Sequence, residues 1–213
     1  MGGMGWSPNG EEIGFDCFSK ETEVSEVCLM DVEKGSLHIL TNSIQFGAQR
    51  NSKDGVRFGN WNSDGTKIVF LTSLVPQSSG YGRRIIQVLN ITNGKVQTVI
   101  DENDTQDIIR FGKPSISPDG NTILFSAKSG SHYAIFRINI DGSHLERVTP
   151  PSDLFDISNP VWSPDGTSFV AFAPIQNQRI IDGVPTLFSK TGEMLGQLDF
   201  KGGLVVSWIN TSN

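Results

Sequence analysis

The sequence has few of the residues that usually build metal, catalytic or disulfide-rich centres: two cysteines and three histidines in 213 residues. Two cysteines are too few for a disulfide scaffold. Apolar runs are short, as in Ile-Val-Phe-Leu at 68–71, so none approaches the roughly 20 residues that a membrane-spanning helix needs. Residues 1–10 contain no basic segment followed by an apolar one, and we therefore expect no secretory signal peptide in this chain.

Basic residues are also scarce, with 17 Lys and Arg against 23 Asp and Glu and a net charge of −6. This balance argues against a broad basic face for nucleic acid and against a polybasic membrane anchor. We therefore predict neither a nucleic-acid partner nor a membrane span.

Motifs for catalysis and metal binding are missing as well. His38, His132 and His144 share no metal-ligand spacing, which predicts solvated surface histidines and no metal site. The acidic stretch at 101–107 fails the EF-hand pattern, because the twelfth position is Gly112 rather than Glu. The G-x-S-x-G nucleophile elbow is absent, and paired carboxylates that converge from distant positions cannot be singled out from the sequence. We predict no catalytic residue and no cofactor.

What the sequence does contain is an internal repeat. A large apolar residue followed by Ser-Pro-Asp-Gly, or by a close variant, occurs four times and returns in degraded form a fifth time. The first residues of the copies are Trp6, Trp61, Ile116, Trp162 and Trp208. Their spacings are 55, 55, 46 and 46 residues, a regularity that chance does not produce.

Each copy of this motif is followed by the same order of short apolar runs and turns. In the third copy the runs cover 123–125, 134–140 and 145–148, with Asp141-Gly142 as the last turn. Runs of Ile, Val and Phe between Gly, Asp and Asn are typical of strands, and no window has a capped helical period. Four strands per 46–55 residues predict an all-β fold, a β-propeller of four-stranded antiparallel blades, with four blades recognisable in this chain.

The spacing divides a single β-propeller domain, 1–213, into blades at about 1–52, 53–108, 109–155 and 156–201, with a closing strand at 202–213. The N-terminal segment at 4–6 is short and Gly-rich, which predicts a poor strand. In a closed four-blade ring, the arrangement we prefer, the C-terminal strand would complete the first blade in its place. Otherwise the chain belongs to a larger ring that a homodimer could complete, because exposed apolar blade faces need covering.

The repeated motifs resemble the repeat of TolB-type β-propellers, and so do the segments Ile-Phe-Arg-Ile-Asn-Ile-Asp-Gly at 135–142 and Leu-Glu-Arg-Val-Thr at 145–149. The resemblance covers essentially the whole chain, although the second copy has Asn62-Ser63 in place of Ser-Pro. It implies a WD40-like repeat protein and a periplasmic location. It implies less about function, since this repeat occurs in periplasmic scaffolds, in prolyl-oligopeptidase-like enzymes and in some polysaccharide lyases.

The repeated residues indicate structure rather than a binding site. One set is predicted to pack between blades: Trp6, Trp61, Ile116, Trp162 and Trp208. A second set is predicted to fix the turn by bonding to the backbone two residues on: Asp64, Asp119 and Asp165. Binding residues are expected instead on loops that break the repeat, at 45–57, 75–84 and 173–182. Tyr and Arg often anchor interfaces, so we predict a contact patch for a protein or an anionic glycan at Tyr81, Arg83 and Arg84.

Cys17 and Cys28 flank one predicted hairpin. If Ile13 faces Val32 across this hairpin, then Cys17 faces Cys28. That register allows a cross-strand disulfide, but two buried free thiols are the state we expect.

These observations predict a non-catalytic propeller scaffold that binds a protein partner through its loops or one face. The alternative is a propeller enzyme or accessory domain that acts on polysaccharide or peptide through the central channel. Carboxylates, His and Arg clustered at one channel mouth would favour the alternative.

Overall fold

The computed structural model describes residues 3–50, 55–75, 82–150, 156–173 and 183–197. The chain divides into two compact units, residues 1–106 and residues 107–213. The described residues form seventeen β-strands and two short 3₁₀ turns, at Ser43–Phe46 and Glu102–Asp104, with no α-helix among them. The prediction of a mostly β protein is confirmed. No helix in the described part of the chain is long and apolar enough to cross a membrane.

The first unit contains one eight-stranded sheet. Its strands are β1 (Met4–Trp6), β2 (Glu12–Phe18), β3 (Ser25–Asp31), β4 (Leu37–Ile39), β5 (Gly55–Trp61), β6 (Lys67–Leu74), β7 (Arg83–Asn90) and β8 (Val96–Asp101). The order is β1-β2-β3-β5-β6-β7-β8, with β4 also paired to β3. A single parallel residue pair, Ser25 with Gly55, links β3 to β5. Apart from this link the strands form two antiparallel groups, the first group (β1–β4) and the second group (β5–β8).

The second unit contains two sheets. Its strands are β9 (Ile108–Ile109), β10 (Ser115–Ile116), β11 (Thr122–Ser129), β12 (His132–Asn139), β13 (Glu146–Arg147), β14 (Ser158–Trp162), β15 (Ser168–Ala173), β16 (Val184–Ser189) and β17 (Met194–Gln197). The third group has the order β10-β11-β12-β13, and β9 also pairs with β11. The fourth group has the order β14-β15-β16-β17.

The repeated motif forms the turn between two neighbouring strands of each group. Asp64, Asp119 and Asp165 each accept the backbone N–H of the residue two positions on, at 2.8, 3.0 and 3.0 Å. Because the carboxylate takes up an N–H that the tight turn leaves unpaired, the turn holds the two strands in register.

The side chain at the second position of the motif makes a further hydrogen bond that was not predicted from the sequence. The Ser117 hydroxyl accepts the N–H of Thr122, at 3.0 Å, where the next strand begins. In the second copy the Asn62 side-chain oxygen accepts the N–H of Lys67 at 2.9 Å. Asn62 can therefore stand where other copies have serine, since both side chains present an oxygen acceptor.

The hairpin of β2 and β3 differs from the predicted register by two residues, so that Ile13 faces Met30 and not Val32. Cys17 and Cys28 are consequently diagonal neighbours on one face, with Cα atoms 5.9 Å apart, and they form a disulfide. The expectation of two free thiols is wrong. A shift of two residues preserves the face, and a diagonal pair lies within the Cα separation that a disulfide requires.

The N-terminal segment also differs from the prediction, because Met4–Trp6 is a strand that pairs with β2 and places Gly5 opposite Gly14. The glycines that lower its intrinsic strand propensity have a packing role. A Cβ atom on Gly14 would overlap the ring of Phe58, which is fully buried. Packing against Phe58 therefore outweighs the weak propensity. Residues 202–213, predicted to take this edge, lie outside the described residues.

Each unit has its own apolar core. In the first unit, Val27 and Leu29 of the first group pack with Phe58, Trp61 and other residues of the second group. In the second unit the core joins the third and fourth groups and contains Leu124, Ile135, Trp162, Phe169 and Phe188. The cores hold the groups together in pairs.

The repeated tryptophans differ in exposure. Trp61 and Trp162 are each 8% exposed, whereas Trp6 is 59% exposed. Ile116, at the same position of the third copy, is buried, and Trp208 lies outside the described residues. Among the described residues, Trp6 is therefore far less covered than the tryptophans of the second and fourth groups.

Candidate functional site

A cleft of about 610 Å³ lies between the third and fourth groups, on the side where the repeated turns are found. The buried Trp162 and the turn residues Ser117 and Pro118 contribute to its walls. Its charged or ionisable side chains are Asp119, Arg137, His144, Glu146, Asp165 and Lys190. None of them was singled out as a binding residue from the sequence.

Arg137 of β12 joins the two walls of the cleft. Its Nε donates to Glu146 Oε1 at 2.8 Å, and its Nη2 bonds the same carboxylate. Its Nη1 donates to the backbone carbonyl of Lys190 in the fourth group, at 2.9 Å. Arg137 is therefore satisfied within the protein and fixes the geometry of the cleft.

Asp165 has a strongly lowered pKa of about 2, because the Ser163 hydroxyl and the N–H and hydroxyl of Thr167 all donate to its carboxylate. Asp119 has a similar environment, with donors from the Ser117 hydroxyl and the Asn121 N–H. A carboxyl whose pKa is near 2 stays ionised at neutral pH and is poorly suited to transfer protons there. Asp165 therefore contributes a fixed negative charge to the cleft.

His144 lies at the rim of the cleft, exposed, with a positive φ of 55°. Its Nδ1 lies 3.0 Å from both the side-chain nitrogen of Asn139 and the hydroxyl of Ser143. These two neighbours orient the ring at the cleft.

The other two histidines lie elsewhere. His38 is exposed in β4, and His132 of β12 lies 3.4 Å from the Asp156 carboxylate. In the described ranges, no three His, Cys, Asp or Glu side chains are grouped as metal ligands would be.

The predicted contact patch is only partly visible, because Tyr81 lies outside the described residues. Arg83, in the first position of β7, forms an ion pair with Asp101 of β8; its Nε donates to Oδ1 at 2.8 Å and its Nη2 to the other oxygen. The backbone N–H of Arg84 donates to the Glu102 carboxylate at 3.1 Å. The structure thus joins the arginine pair to the acidic stretch, which the sequence analysis treated separately.

This ion pair leads to a pH-dependent prediction. The Arg83 guanidinium holds the pKa of Asp101 below its ordinary 3.8, with help from the Asn103 N–H and against the effect of burial. A carboxyl with a lowered folded-state pKa stabilises the protein above about pH 4 and loses this effect as the pH falls through the folded value. We expect Asp101→Asn to lower the free energy of unfolding by about 1 kcal/mol at pH 7, because Arg83 is partly exposed to water.

Urea unfolding of Asp101→Asn and wild type between pH 7 and pH 2.5 measures this effect. The difference between them should be constant to about pH 4 and then shrink. Asp104→Asn, an exposed carboxylate in the adjacent turn, is the control and should differ from wild type by less than about 0.5 kcal/mol. A difference that grew on acidification would contradict the assignment.

A second surface of interest is one face of the first group. The strand pairings place seven apolar side chains on this face, which we call the outer face: Met4, Trp6, Ile13, Phe15, Met30, Leu37 and Ile39. Four of them are largely exposed, Met4 at 63%, Trp6 at 59%, Leu37 at 55% and Ile39 at 49%. This surface could not be predicted from the sequence without β1, for which the alternation Met-Gly-Trp was the available signal.

Together, the antiparallel groups with their repeated turns and the structural neighbours define the class of the protein, a mostly β chain with a TolB-like β-propeller fold. No protein-family model matches the sequence.

Three solved structures illustrate the likeness. A TolB-type protein of Agrobacterium tumefaciens has a TM-score of 0.68 at 20% identity, over 92% of this chain and 65% of that one. TolB from Acinetobacter baumannii has a TM-score of 0.64 at 16% identity, over 93% and 44%. Oligogalacturonate lyase from Vibrio parahaemolyticus has a TM-score of 0.62 at 15% identity, over 92% and 53%. These identities show the fold alone, and this chain spans less than two thirds of each of these proteins.

One curated relative is similar in sequence, the uncharacterized peptidase YuxL of Bacillus subtilis (strain 168). It is 28% identical over 121 residues, which are 56% of this chain and 17% of YuxL. The chain therefore spans only a small part of that relative.

Proposed function

We propose that this chain is a non-catalytic scaffold, a β-propeller of four blades, that binds a protein partner at the cleft of the second unit. The blades correspond to the four groups of strands. The observation that supports binding rather than catalysis is the state of the charged groups in the cleft, which are held by internal hydrogen bonds.

Two features of these groups suit recognition. Arg137 is held by Glu146 and by the Lys190 carbonyl, and Asp165 is ionised with a pKa of about 2. Charges that are fixed before a partner arrives cost little ordering on binding, and they favour a partner of complementary pattern. The exposed Lys190 and His144 at the rim remain for direct contact with a polar segment of the partner.

The alternative, an enzyme or accessory domain acting on polysaccharide or peptide, has its own support. One structural neighbour is an oligogalacturonate lyase, and the sequence relative is named a peptidase. His144 and Arg137 at one cleft are residue types that such chemistry uses. The fold is compatible with both functions, so the distinction depends on the site.

The disulfide bears on the compartment. Disulfides persist in oxidising compartments and are rare in the cytosol. Cys17–Cys28 therefore supports an extracytoplasmic location, and we propose the periplasm, in line with the TolB resemblance.

The binding function can be tested by selecting a random displayed-peptide library on the immobilised chain and measuring the affinity of the enriched peptides in solution. We expect the double substitution Lys190→Glu and His144→Glu to weaken binding about 10-fold or more, because it reverses the charge of the rim. Lys95→Glu is the matched control, since Lys95 is also exposed and follows the equivalent hairpin turn of the second group. It should bind as wild type does.

Two results would contradict the proposal. Enriched peptides that bound the double variant and wild type equally would remove the cleft as the binding site. Turnover of oligogalacturonate or of a peptide by the purified chain, lost in His144→Asn, would establish the enzyme alternative instead.

A further inference from the structure

Neighbouring groups within each unit pack against one another through unlike faces. In the second group, the face that carries Trp61 packs with Val27 and Leu29 of the first group. In the fourth group, the equivalent face that carries Trp162 packs with Ile135 of the third group. Strand alternation places Val27, Leu29 and Ile135 on the face opposite to the repeated apolar residue of their own group. The repeat therefore builds head-to-tail contacts, each between the tryptophan face of one group and the opposite face of the group before it.

The outer face is the tryptophan face of the first group, and it is exposed. Trp6 occupies the repeat position of Trp61, yet it is 59% exposed where Trp61 is 8% exposed. On the same face, Met4 is 63% and Leu37 is 55% exposed. The described residues of the chain leave these side chains open to solvent, and an apolar surface of this kind marks a contact with another protein surface.

The fourth group carries a face of the opposite kind, which we call the back face. Strand pairing places five apolar side chains on it: Val161, Val170, Phe172, Pro185 and Leu187. Leu187 occupies the position of Leu29, because each pairs with the residue that lies eight positions after the repeated tryptophan of its group. Val161, Phe172 and Leu187 are only partly buried. The back face thus has the apolar character that covers a tryptophan face elsewhere in the chain.

Neither face presents an exposed charge at its paired positions. Glu26 is the charged residue on the outer face, and it has no exposed surface. Thr22 and Thr41 donate hydrogen bonds to its carboxyl from within the first unit. The described paired positions of the back face contain no Lys, Arg, Asp or Glu. The two faces can therefore pack together without burying an unpaired charge.

From these observations we propose that the outer face binds the back face of a second copy of this chain, so that two chains form one closed ring of eight groups. This contact repeats the unlike pairing of faces that both units already contain. A head-to-tail interface closes into a ring or continues into a filament, and eight blades lie within the range of about four to eight that propellers use. The inference rests on the proposed assignment of the groups as blades, but not on the cleft.

The dimer can be tested by light scattering of the purified chain over a concentration series. We expect a mass of twice 23.2 kDa that dissociates on dilution. Trp6→Lys on the outer face and Leu187→Lys on the back face should each raise the dissociation constant at least about 30-fold, because each places a charge in an apolar contact. Circular dichroism must show native β structure in both variants. Leu37→Lys and Val161→Lys, one on each face, replace a variant that misfolds.

A mixture of the two variants tests the direction of the contact. In a mixed pair, the unchanged outer face of the Leu187→Lys chain meets the unchanged back face of the Trp6→Lys chain. One of the two contacts in the ring is then of the wild-type kind. We therefore expect the equimolar mixture to dimerise at concentrations where each variant alone is monomeric.

Phe18→Lys is the control for an added surface charge. Phe18 is 68% exposed in β2, and alternation places it on the face opposite to the outer face. This variant should dimerise as wild type does.

Four results would overturn the inference. They are a wild-type monomer at every concentration, a Leu187→Lys variant that dimerises as wild type does, a mixture that stays monomeric, and a mass that grows beyond two chains. The second would show that the contact does not use the back face, and the last would show that the ring does not close. The cleft residues His144 and Lys190 are unchanged in all these variants, so the peptide-binding test gives its own answer whichever result is found.

Discussion

Replacing Glu26 with alanine is expected to lower the free energy of unfolding by roughly 3 to 5 kcal/mol, with a fall of about 10 °C in Tm. Glu26 in β3 has no exposed surface. Its carboxyl accepts hydrogen bonds from the Thr22 hydroxyl at 2.9 Å and the Thr41 hydroxyl at 2.6 Å. It also accepts from the N–H and the hydroxyl of Ser43, at 2.9 and 2.7 Å.

The cost arises because alanine removes the acceptor of the Thr22 and Thr41 hydroxyls and of the Ser43 N–H, whereas the Ser43 hydroxyl keeps the Ser25 carbonyl as an acceptor at 2.9 Å. The segment 41–43 would lose part of its attachment to β3, and the connection from the first group to the second would loosen with it. Urea unfolding at pH 7 measures the change.

Two variants calibrate this result. Glu26→Gln keeps one acceptor oxygen but turns an N–H₂ group toward the remaining donors, so we expect a loss between those of wild type and Glu26→Ala. Glu33→Ala removes an exposed carboxylate from the next turn and should change the free energy of unfolding by less than about 0.5 kcal/mol. A loss below about 1 kcal/mol for Glu26→Ala would contradict the role assigned to the carboxyl.

Phe58→Ala is the second substitution with a large expected effect, a loss of roughly 3 to 5 kcal/mol in the free energy of unfolding. The Phe58 ring is fully buried and lies against Gly5 and Gly14 of the first group. It also makes an edge contact with Trp61, with ring centroids 6.5 Å apart. Its removal leaves a cavity between the first and second groups, because the glycines have no side chains to fill it.

Phe18→Ala is the matched control for this measurement. It removes the same ring from a site that is 68% exposed and should cost less than about 0.5 kcal/mol. Phe58→Leu, which retains part of the volume, should fall between the two. If Phe58→Ala and Phe18→Ala were equally destabilising, the packing of the first group on the second would not be as described.

The residues of the proposed binding site were the hardest part of the molecule to predict from the sequence. Arg83 was selected because Arg often anchors interfaces, yet its side chain is paired with Asp101, 18 residues further along the chain. Arg137 and Glu146 lie in the repeat, where the sequence suggested only structure, yet they line the cleft. Local pattern identifies residue types, whereas pairing across strands decides which of them remain available.

The sequence by itself determined most of the strands, the repeated turns and the mostly β character of the fold. Alternating apolar runs specify strands, and Asp64, Asp119 and Asp165 accept their turn bonds from residues two positions away, so local chemistry was sufficient. The tertiary structure decided that Met4–Trp6 is a strand, that Cys17 bonds to Cys28 in a shifted register, and that Trp6 is exposed while Trp61 is buried. Each of these depends on which sheet packs against which, and contacts between residues far apart in the chain override local propensity.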